Sequence, residues 1–134
     1  MSSSARNPWL LTAALLGGLA VACGAFGAHV LEMHLPPGGD WNASLATWET
    51  AARYQMYHAL ALLAVGILAA RRPSRCLHLA GLSFTAGTFI FSGCLYLLVL
   101  AGQRWLGAVV PLGGLLLLLG WVLLAVSAAR DSSS

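Results

Sequence analysis

The chain has 134 residues, of which 59% are hydrophobic and only 8% are charged, and its mean hydropathy is +0.80. Soluble globular domains carry about 25% charged residues, so this composition excludes a water-soluble domain and predicts a membrane protein. The net charge of +3 comes from seven basic and four acidic residues, and every basic residue is an arginine. Because these arginines lie near the ends of apolar segments, we expect a lipid bilayer around the chain and no nucleic-acid partner.

The first apolar segment predicts a transmembrane helix over about 9–31. The 22 residues from Trp9 to Val30 would form roughly 33 Å of helix, which matches a bilayer core of about 30 Å. After this segment, Pro36 and Pro37 are followed by two glycines, which disfavour helix and favour turns. We therefore predict an outer loop over about 32–47, with tryptophans suited to the headgroup level.

Three more helices are predicted over about 48–70, 77–101 and 106–129, separated by a basic turn and a second short turn. One side of the membrane would then hold Arg53 and Arg104, and the other would hold Arg6, Arg71, Arg72, Arg75 and Arg130. Because cytoplasmic flanks are enriched in arginine and lysine, both termini should face the cytoplasm. The sequence thus predicts a single transmembrane domain over 1–134, an all-α integral membrane bundle of four antiparallel transmembrane helices.

Small residues recur along these helices at spacings that place them on one face, as in Ala20, Gly24 and Ala28. In lipid, faces of small residues let helix backbones approach closely. We expect them to pack a single bundle, with a homo-oligomer interface as the alternative. A proline in the fourth helix should also free a backbone carbonyl about one turn earlier. The predicted packing positions are Gly24, Gly27, Gly93, Pro111, Gly113 and Gly114.

Polar residues within the apolar region give the main functional signal. Residues 48–60 hold nearly all the strongly polar side chains that could enter the membrane, and they run directly into the apolar stretch 61–70, so both belong to one helix. Gln55 and His58 are three residues apart and share a face of that helix. Polar groups in lipid must pair with one another or with water. We therefore predict a polar cluster or ligand site in the outer half of the bundle, formed by His29, Tyr54, Gln55, His58, Ser92 and Tyr96.

The two intramembrane histidines leave several interpretations open. The leading one is a hydrogen-bonded clamp between His29 and His58; the alternatives are a proton or small-ligand site and a metal or haem site. No third ligand follows from the spacing, although Glu32 and His34 lie nearby in the loop. The odd number of cysteines, without ligand spacing, predicts neither a disulfide framework nor a metal site.

Motifs of enzyme chemistry are missing from the sequence. The chain contains no nucleophile elbow, no phosphate-binding glycine loop and no paired carboxylates in its apolar region. Glu49 and Arg53, four residues apart, are typical of a solvated helix pair at the interface. We therefore predict a protein that is not an enzyme and that needs no cofactor or metal.

Four motifs occur in the order 24–31 (GAFGAHVL), 48–62 (WETAARYQMYHALAL), 91–96 (FSGCLY) and 111–114 (PLGG), the last followed by a Gly-Trp pair. Together they resemble the YgdD/YwdK-type family of small membrane proteins, a domain-of-unknown-function family with eukaryotic transmembrane relatives. The resemblance covers about residues 9–128. It implies a four-helix integral membrane protein, located in bacteria in the inner membrane, and it supplies no activity, catalytic residue or cofactor. The long proline-glycine loop departs from the family pattern.

Three hypotheses for function follow. The leading one is a non-enzymatic accessory or assembly subunit of a membrane complex, whose polar cluster organises the bundle or receives a partner. The second is a small-solute transporter or channel, and the third is a haem-, quinone- or metal-binding redox component. Expected partners besides the bilayer are other membrane protein subunits or a second copy of the chain.

Overall fold

The computed structural model describes residues 7–31, 33 and 40–131, and the fold of this part of the chain is all-α. Helix α1 spans Pro8–Phe26 and continues as a π-helical segment, Gly27–Leu31. Helices α2, α3 and α4 span Trp41–Arg71, Arg75–Ala101 and Leu106–Asp131. The prediction of four helices is thus confirmed over the described residues.

Local sequence explains where the helices begin and end. The Asn7 side chain accepts a hydrogen bond from the Trp9 backbone N–H at 3.1 Å, and a proline occupies the first helical position of α1. Ser74 caps α3 in the same way, accepting from the Leu77 N–H at 3.2 Å. Gly102 ends α3 in the left-handed region, at φ 65°, where glycine carries no steric penalty. These caps account for the short connections between the helices.

Helix α2 starts earlier than the sequence predicted. It begins at Trp41 rather than at residue 48, so residues 41–47 of the predicted loop are helical. Within this segment the Thr47 hydroxyl donates to the Ala43 carbonyl, four residues earlier, at 2.8 Å, so its polar group is paired inside the helix. In the rest of the predicted loop, the structure describes Met33 and Asp40, and residues 32 and 34–39 lie outside the described residues.

The helices pack antiparallel in chain order, α1 against α2, α2 against α3 and α3 against α4. At one end of the bundle, the Asn7 amide donates to the Gly66 carbonyl of α2 at 2.7 Å. Towards the other end, the Trp48 indole N–H of α2 donates to the Cys23 carbonyl of α1 at 2.7 Å. Helix α2 is therefore enclosed between α1 and α3.

The position of each helix in the bundle matches its composition. Three stretches are long and apolar enough to cross a membrane: Pro8–Leu31, Arg75–Ala101 and Leu106–Arg130. Helix α2 is the least apolar of the four, yet it contributes fully buried side chains such as Leu62 and Val65 to the core beside Phe84 of α3. The chain is a helical membrane bundle whose most polar helix is covered on two sides.

The predicted packing positions differ in how closely a neighbouring helix approaches them. A Cβ on Gly27 would lie 2.5 Å from the Trp48 Cδ1, and a Cβ on Gly113 would lie 2.5 Å from the Phe91 backbone nitrogen, so both glycines permit a close helix contact. Gly114 makes only ordinary contact with the Phe91 ring, at 3.9 Å. Gly24 and Gly93 instead have open space around them, and Pro111 lies inside α4 on an exposed face. Other close contacts involve Gly66, Gly81, Gly87 and Gly120.

Candidate functional site

Gln55 is the centre of a hydrogen-bonded cluster that joins three helices. Its side chain is 3% exposed, on α2. The amide Nε2 donates to the Leu16 carbonyl of α1 at 2.9 Å, and Oε1 accepts from the Tyr96 hydroxyl of α3 at 2.9 Å. This orientation of the amide follows from the partners, since a carbonyl can only accept. One side chain therefore fixes the positions of α1, α2 and α3.

Ser92 and Trp48 extend the cluster from Gln55 towards the start of α2. The Ser92 hydroxyl donates to the Ala51 carbonyl of α2 at 2.8 Å, and Ser92 is 2% exposed. The Trp48 ring lies against the Tyr96 ring, with centroids 4.5 Å apart. A buried hydroxyl in lipid is costly unless it is hydrogen-bonded, so these contacts satisfy groups that would otherwise destabilise the bundle.

His58 uses both ring nitrogens within the protein. It is 5% exposed, and its Nε2 lies 3.3 Å from the Trp121 Nε1 of α4. Because an indole N–H only donates, Nε2 accepts, and Nδ1 carries the proton and donates to the Tyr54 carbonyl. The Phe84 ring packs beside it, with centroids 5.7 Å apart. A metal at Nε2 would therefore have to displace the indole.

Thr88 lies in the same region with a buried hydroxyl that lacks a partner among the described residues. It is 2% exposed and lies four residues from both Phe84 and Ser92, on the face of α3 that meets α2. The sequence analysis did not single out this residue. Its spacing relative to Ser92 was the signal that could have found it.

His29 lies outside the cluster in which the sequence placed it. It is exposed, in the π-helical end of α1. The register between α1 and α2 sets Gly17 beside Ala59, since a Cβ on Gly17 would lie 3.8 Å from the Ala59 Cβ. His29 is therefore roughly 18 Å further along α1 than the level of His58, at about 1.5 Å per residue. The predicted histidine clamp does not form, because contacts between the helices set this register rather than depths counted along each helix.

A cleft opens beside His58, between α2 and α4. Its volume is about 320 Å³. The Phe91 ring of α3 stacks on Tyr54 at 4.7 Å, and the bond between Trp121 and His58 crosses the inner end. The lining residues are Tyr54, Tyr57, His58, Gly114, Leu117, Leu118 and Trp121. This mixture of rings and leucines suits an apolar or aromatic guest and brings no carboxylate into the cleft.

The outward face of α2 is polar between Glu49 and Tyr57. Glu49, Arg53 and Tyr57 are all exposed and follow one another at four-residue spacing. Tyr54, 40% exposed, lies beside them at the rim of the cleft. Before Arg130, the exposed positions of α4 are apolar by contrast, including Leu115 and Val122. We call residues 49, 53, 54 and 57 the polar face of α2.

The structure thus brings together five of the six predicted site residues and leaves His29 apart. Sequence reasoning missed Trp48 and Trp121, although each indole N–H in an apolar helix needs an acceptor. Among the described residues, no group of three or more histidines, cysteines or carboxylates is placed to hold a metal. Glu32 and His34, the nearby loop candidates, lie outside the described residues.

Comparison with known proteins gave matches over most of the chain. The family described as "Protein of unknown function (DUF423)" matches residues 23–114. A UPF0382 membrane protein of Staphylococcus aureus is 40% identical over 119 residues, which cover 89% of this chain and 93% of the relative. The UPF0382 membrane protein YwdK of Bacillus subtilis is 37% identical, covering 91% and 96%, and the UPF0382 inner membrane protein YgdD of Escherichia coli is 38% identical, covering 90% and 88%. No solved structure matches the chain significantly.

Proposed function

For this chain, which belongs to the DUF423 family of unknown function as its motifs predicted, we propose a role as a non-enzymatic accessory or assembly subunit of a larger membrane complex. The observation that carries this proposal is the polar face of α2, on a bundle whose other exposed positions are apolar away from its two ends. A partner helix would cover this face.

The depth of Arg53 makes the argument quantitative. Its neighbour Ala51 lies opposite Ser92, and Gly102 begins the turn after α3. Arg53 is therefore roughly 15 Å below that turn, at about 1.5 Å per residue, which is inside a bilayer core of about 30 Å. A charged side chain at the middle of a lipid-facing helix costs about 2.5–3.5 kcal/mol, and less near the interface. A partner that offers hydrogen-bond acceptors to Arg53 and donors to Glu49 would remove this cost.

The buried cluster supports a structural rather than a catalytic role. Gln55, His58 and Ser92 use their polar atoms to join helices, so these atoms are already engaged when the bundle is assembled. A substrate could reach His58 Nε2 only by displacing the Trp121 indole. The cluster would then hold α2 at a fixed rotation, with its polar face outward.

We further propose that all four helices cross the bacterial inner membrane and that both termini are cytoplasmic. Helix α2 has 31 residues, roughly 46 Å at about 1.5 Å per residue, and lies antiparallel beside two helices that are apolar enough to cross. Arg71, Arg72, Arg75 and Arg130 gather at one end. A green fluorescent protein fused to the C-terminus should fluoresce, whereas alkaline phosphatase at that site should be inactive. The reverse pattern would overturn this topology.

The subunit proposal can be tested by photo-crosslinking in cells at native expression. A photoreactive residue would replace exposed Ala46 or Leu60, which flank the polar face, or Leu115 of α4 as the matched control. We expect one discrete protein adduct from 46 and 60, lost on Arg53→Leu, and only lipid adducts from 115. Equal adducts from both helices, or an adduct insensitive to Arg53→Leu, would refute the proposal. An adduct of twice the chain mass would replace it with a homo-oligomer.

The cleft favours one alternative, a small-solute transporter. Transport requires water or solute to reach the interior, and Thr88 has a buried hydroxyl without a partner among the described residues, one helical turn from Phe84, whose ring packs beside His58. In a variant without native cysteines, Thr88→Cys should resist a water-soluble thiol reagent if the subunit proposal holds. Rapid labelling, blocked by a permeating solute, would favour transport instead.

A further inference from the structure

The end of the bundle opposite Trp48 carries a concentration of positive charge. Arg71, Arg72 and Arg75 are exposed around the turn between α2 and α3, and Arg130 is exposed at the end of α4. Among the acidic residues that the structure describes, which are Asp40, Glu49 and Asp131, only Asp131 lies at this end, as the last residue of α4. This end therefore has an excess of positive charge.

Two of these arginines meet at a small pocket built from separate helices. The Arg130 Nη1 lies 3.5 Å from the Cys76 Sγ, and the Ser74 and Ser127 hydroxyl oxygens are 3.5 Å apart. A cavity of about 100 Å³ is lined by Ser74, Arg75, Cys76, Ser127 and Arg130. Ser127 is 6% exposed, so one wall of the pocket is a buried hydroxyl. Guanidinium groups and hydroxyls in this arrangement are suited to phosphate oxygens.

An apolar groove adjoins the pocket and shares two of its residues. Its volume is about 410 Å³, and it is lined by Pro73, Ser74, Arg75, His78 and Leu79. The His78 ring packs edge-on against Trp9 of α1, with centroids 5.2 Å apart, which fixes one side. The groove leads from the charged end to Leu79, one turn further into an apolar helix.

We propose that this end of the protein binds an anionic glycerophospholipid, with its phosphate between Arg75 and Arg130 and its glycerol and acyl region in the groove. Charge complementarity argues for this occupant, because basic pockets between membrane helices on the cytoplasmic side receive anionic headgroups. The adjoining apolar groove favours a phospholipid over a free phosphate ion. The first turn of α3 adds backbone N–H groups at the same place, which favours negative charge further.

Native mass spectrometry of the full chain in detergent tests this proposal. The probes are dioleoylphosphatidylglycerol and dioleoylphosphatidylcholine, which have the same acyl chains. We expect one phosphatidylglycerol per chain to be retained under conditions that strip phosphatidylcholine. Arg75→Gln or Arg130→Gln should lower retention about tenfold, whereas Arg104→Gln, an equal charge loss at the other end, should not.

Two further measurements separate this site from general electrostatics. Ser127→Ala leaves the net charge unchanged and should still weaken retention several-fold. Excess inorganic phosphate should compete poorly, since it cannot fill the apolar groove. Equal losses in Arg75→Gln and Arg104→Gln, or retention that is indifferent to headgroup, would overturn the proposal. Full displacement by inorganic phosphate would assign the pocket to a free anion and overturn it as well. Arg75 and Arg130 are exposed, so these variants are expected to fold.

Discussion

Replacing Gln55 by leucine tests whether one buried amide holds the bundle together. Leucine keeps the approximate volume and removes two hydrogen bonds, to the Leu16 carbonyl and from the Tyr96 hydroxyl. Hydrogen bonds between membrane helices contribute about 0.6 kcal/mol on average and about 1.7 at most, so we expect a loss of about 1–3 kcal/mol. The Leu16 carbonyl retains its own helical bond, so most of the unpaired cost falls on the Tyr96 hydroxyl.

A double-mutant cycle with Tyr96→Phe isolates the contact between the two side chains. If the Tyr96 hydroxyl donates to Gln55 Oε1, the single variants should each destabilise the protein and the double variant should lose less than their sum. The coupling energy should be about 0.6–1.7 kcal/mol. It can be measured from reversible unfolding in mixed detergent micelles.

The matched control is Tyr57→Phe, which removes a hydroxyl from a residue 51% exposed on the outward face of α2. Tyr57 and Gln55 point in different directions, so their coupling should be near zero. A Gln55–Tyr96 coupling below about 0.3 kcal/mol, within the usual error of additivity, would refute the argument that this bond joins α2 to α3.

Matched pairs of substitutions test the helix contacts by thermal melting in detergent. Gly113→Ala would set a Cβ 2.5 Å from the Phe91 backbone nitrogen, so we expect a loss of about 1–3 kcal/mol, whereas Gly93→Ala, with open space, should be neutral or slightly stabilising. Thr88→Val removes an unpaired buried hydroxyl and should stabilise by up to about 1 kcal/mol; Ser92→Ala breaks a hydrogen bond and should destabilise by a similar amount. Equal effects within either pair would contradict the structure.

Much of the fold was predictable because the ends of membrane helices can be recognised in the sequence. Charged and turn-forming residues bracket each apolar run, and Ser74 and Gly102 mark the ends of α3 through chemistry visible in the sequence. The start of α2 was not predictable in the same way. Asn, Ser and Thr between Trp41 and Trp48 favour loops by propensity, but the helix runs through them, and the Thr47 hydroxyl donates to the Ala43 carbonyl one turn earlier.

The candidate site was predictable within one helix and not between helices. The i, i+3 spacing placed Gln55 and His58 on one face, as any helix requires. Which residues the neighbouring helices contribute depends on the register between helices, and this register is set by contacts between side chains distant in sequence. The Trp48 indole packs against Gly27 of α1 and sets the register there. This register places His29 beyond the cluster. A contact between α2 and α4 likewise places Trp121 beside His58, from which it is distant in sequence.

The polarity of α2 unites the cluster and the proposed interface. A helix in lipid can be this polar only if protein covers its polar groups. Helices α1 and α3 cover two sides, and there the groups are buried and bonded, with Gln55 joining both neighbours. The third side carries Glu49 and Arg53, which are exposed. On the topology proposed above, the same requirement predicts that a helix of a partner protein covers these two residues.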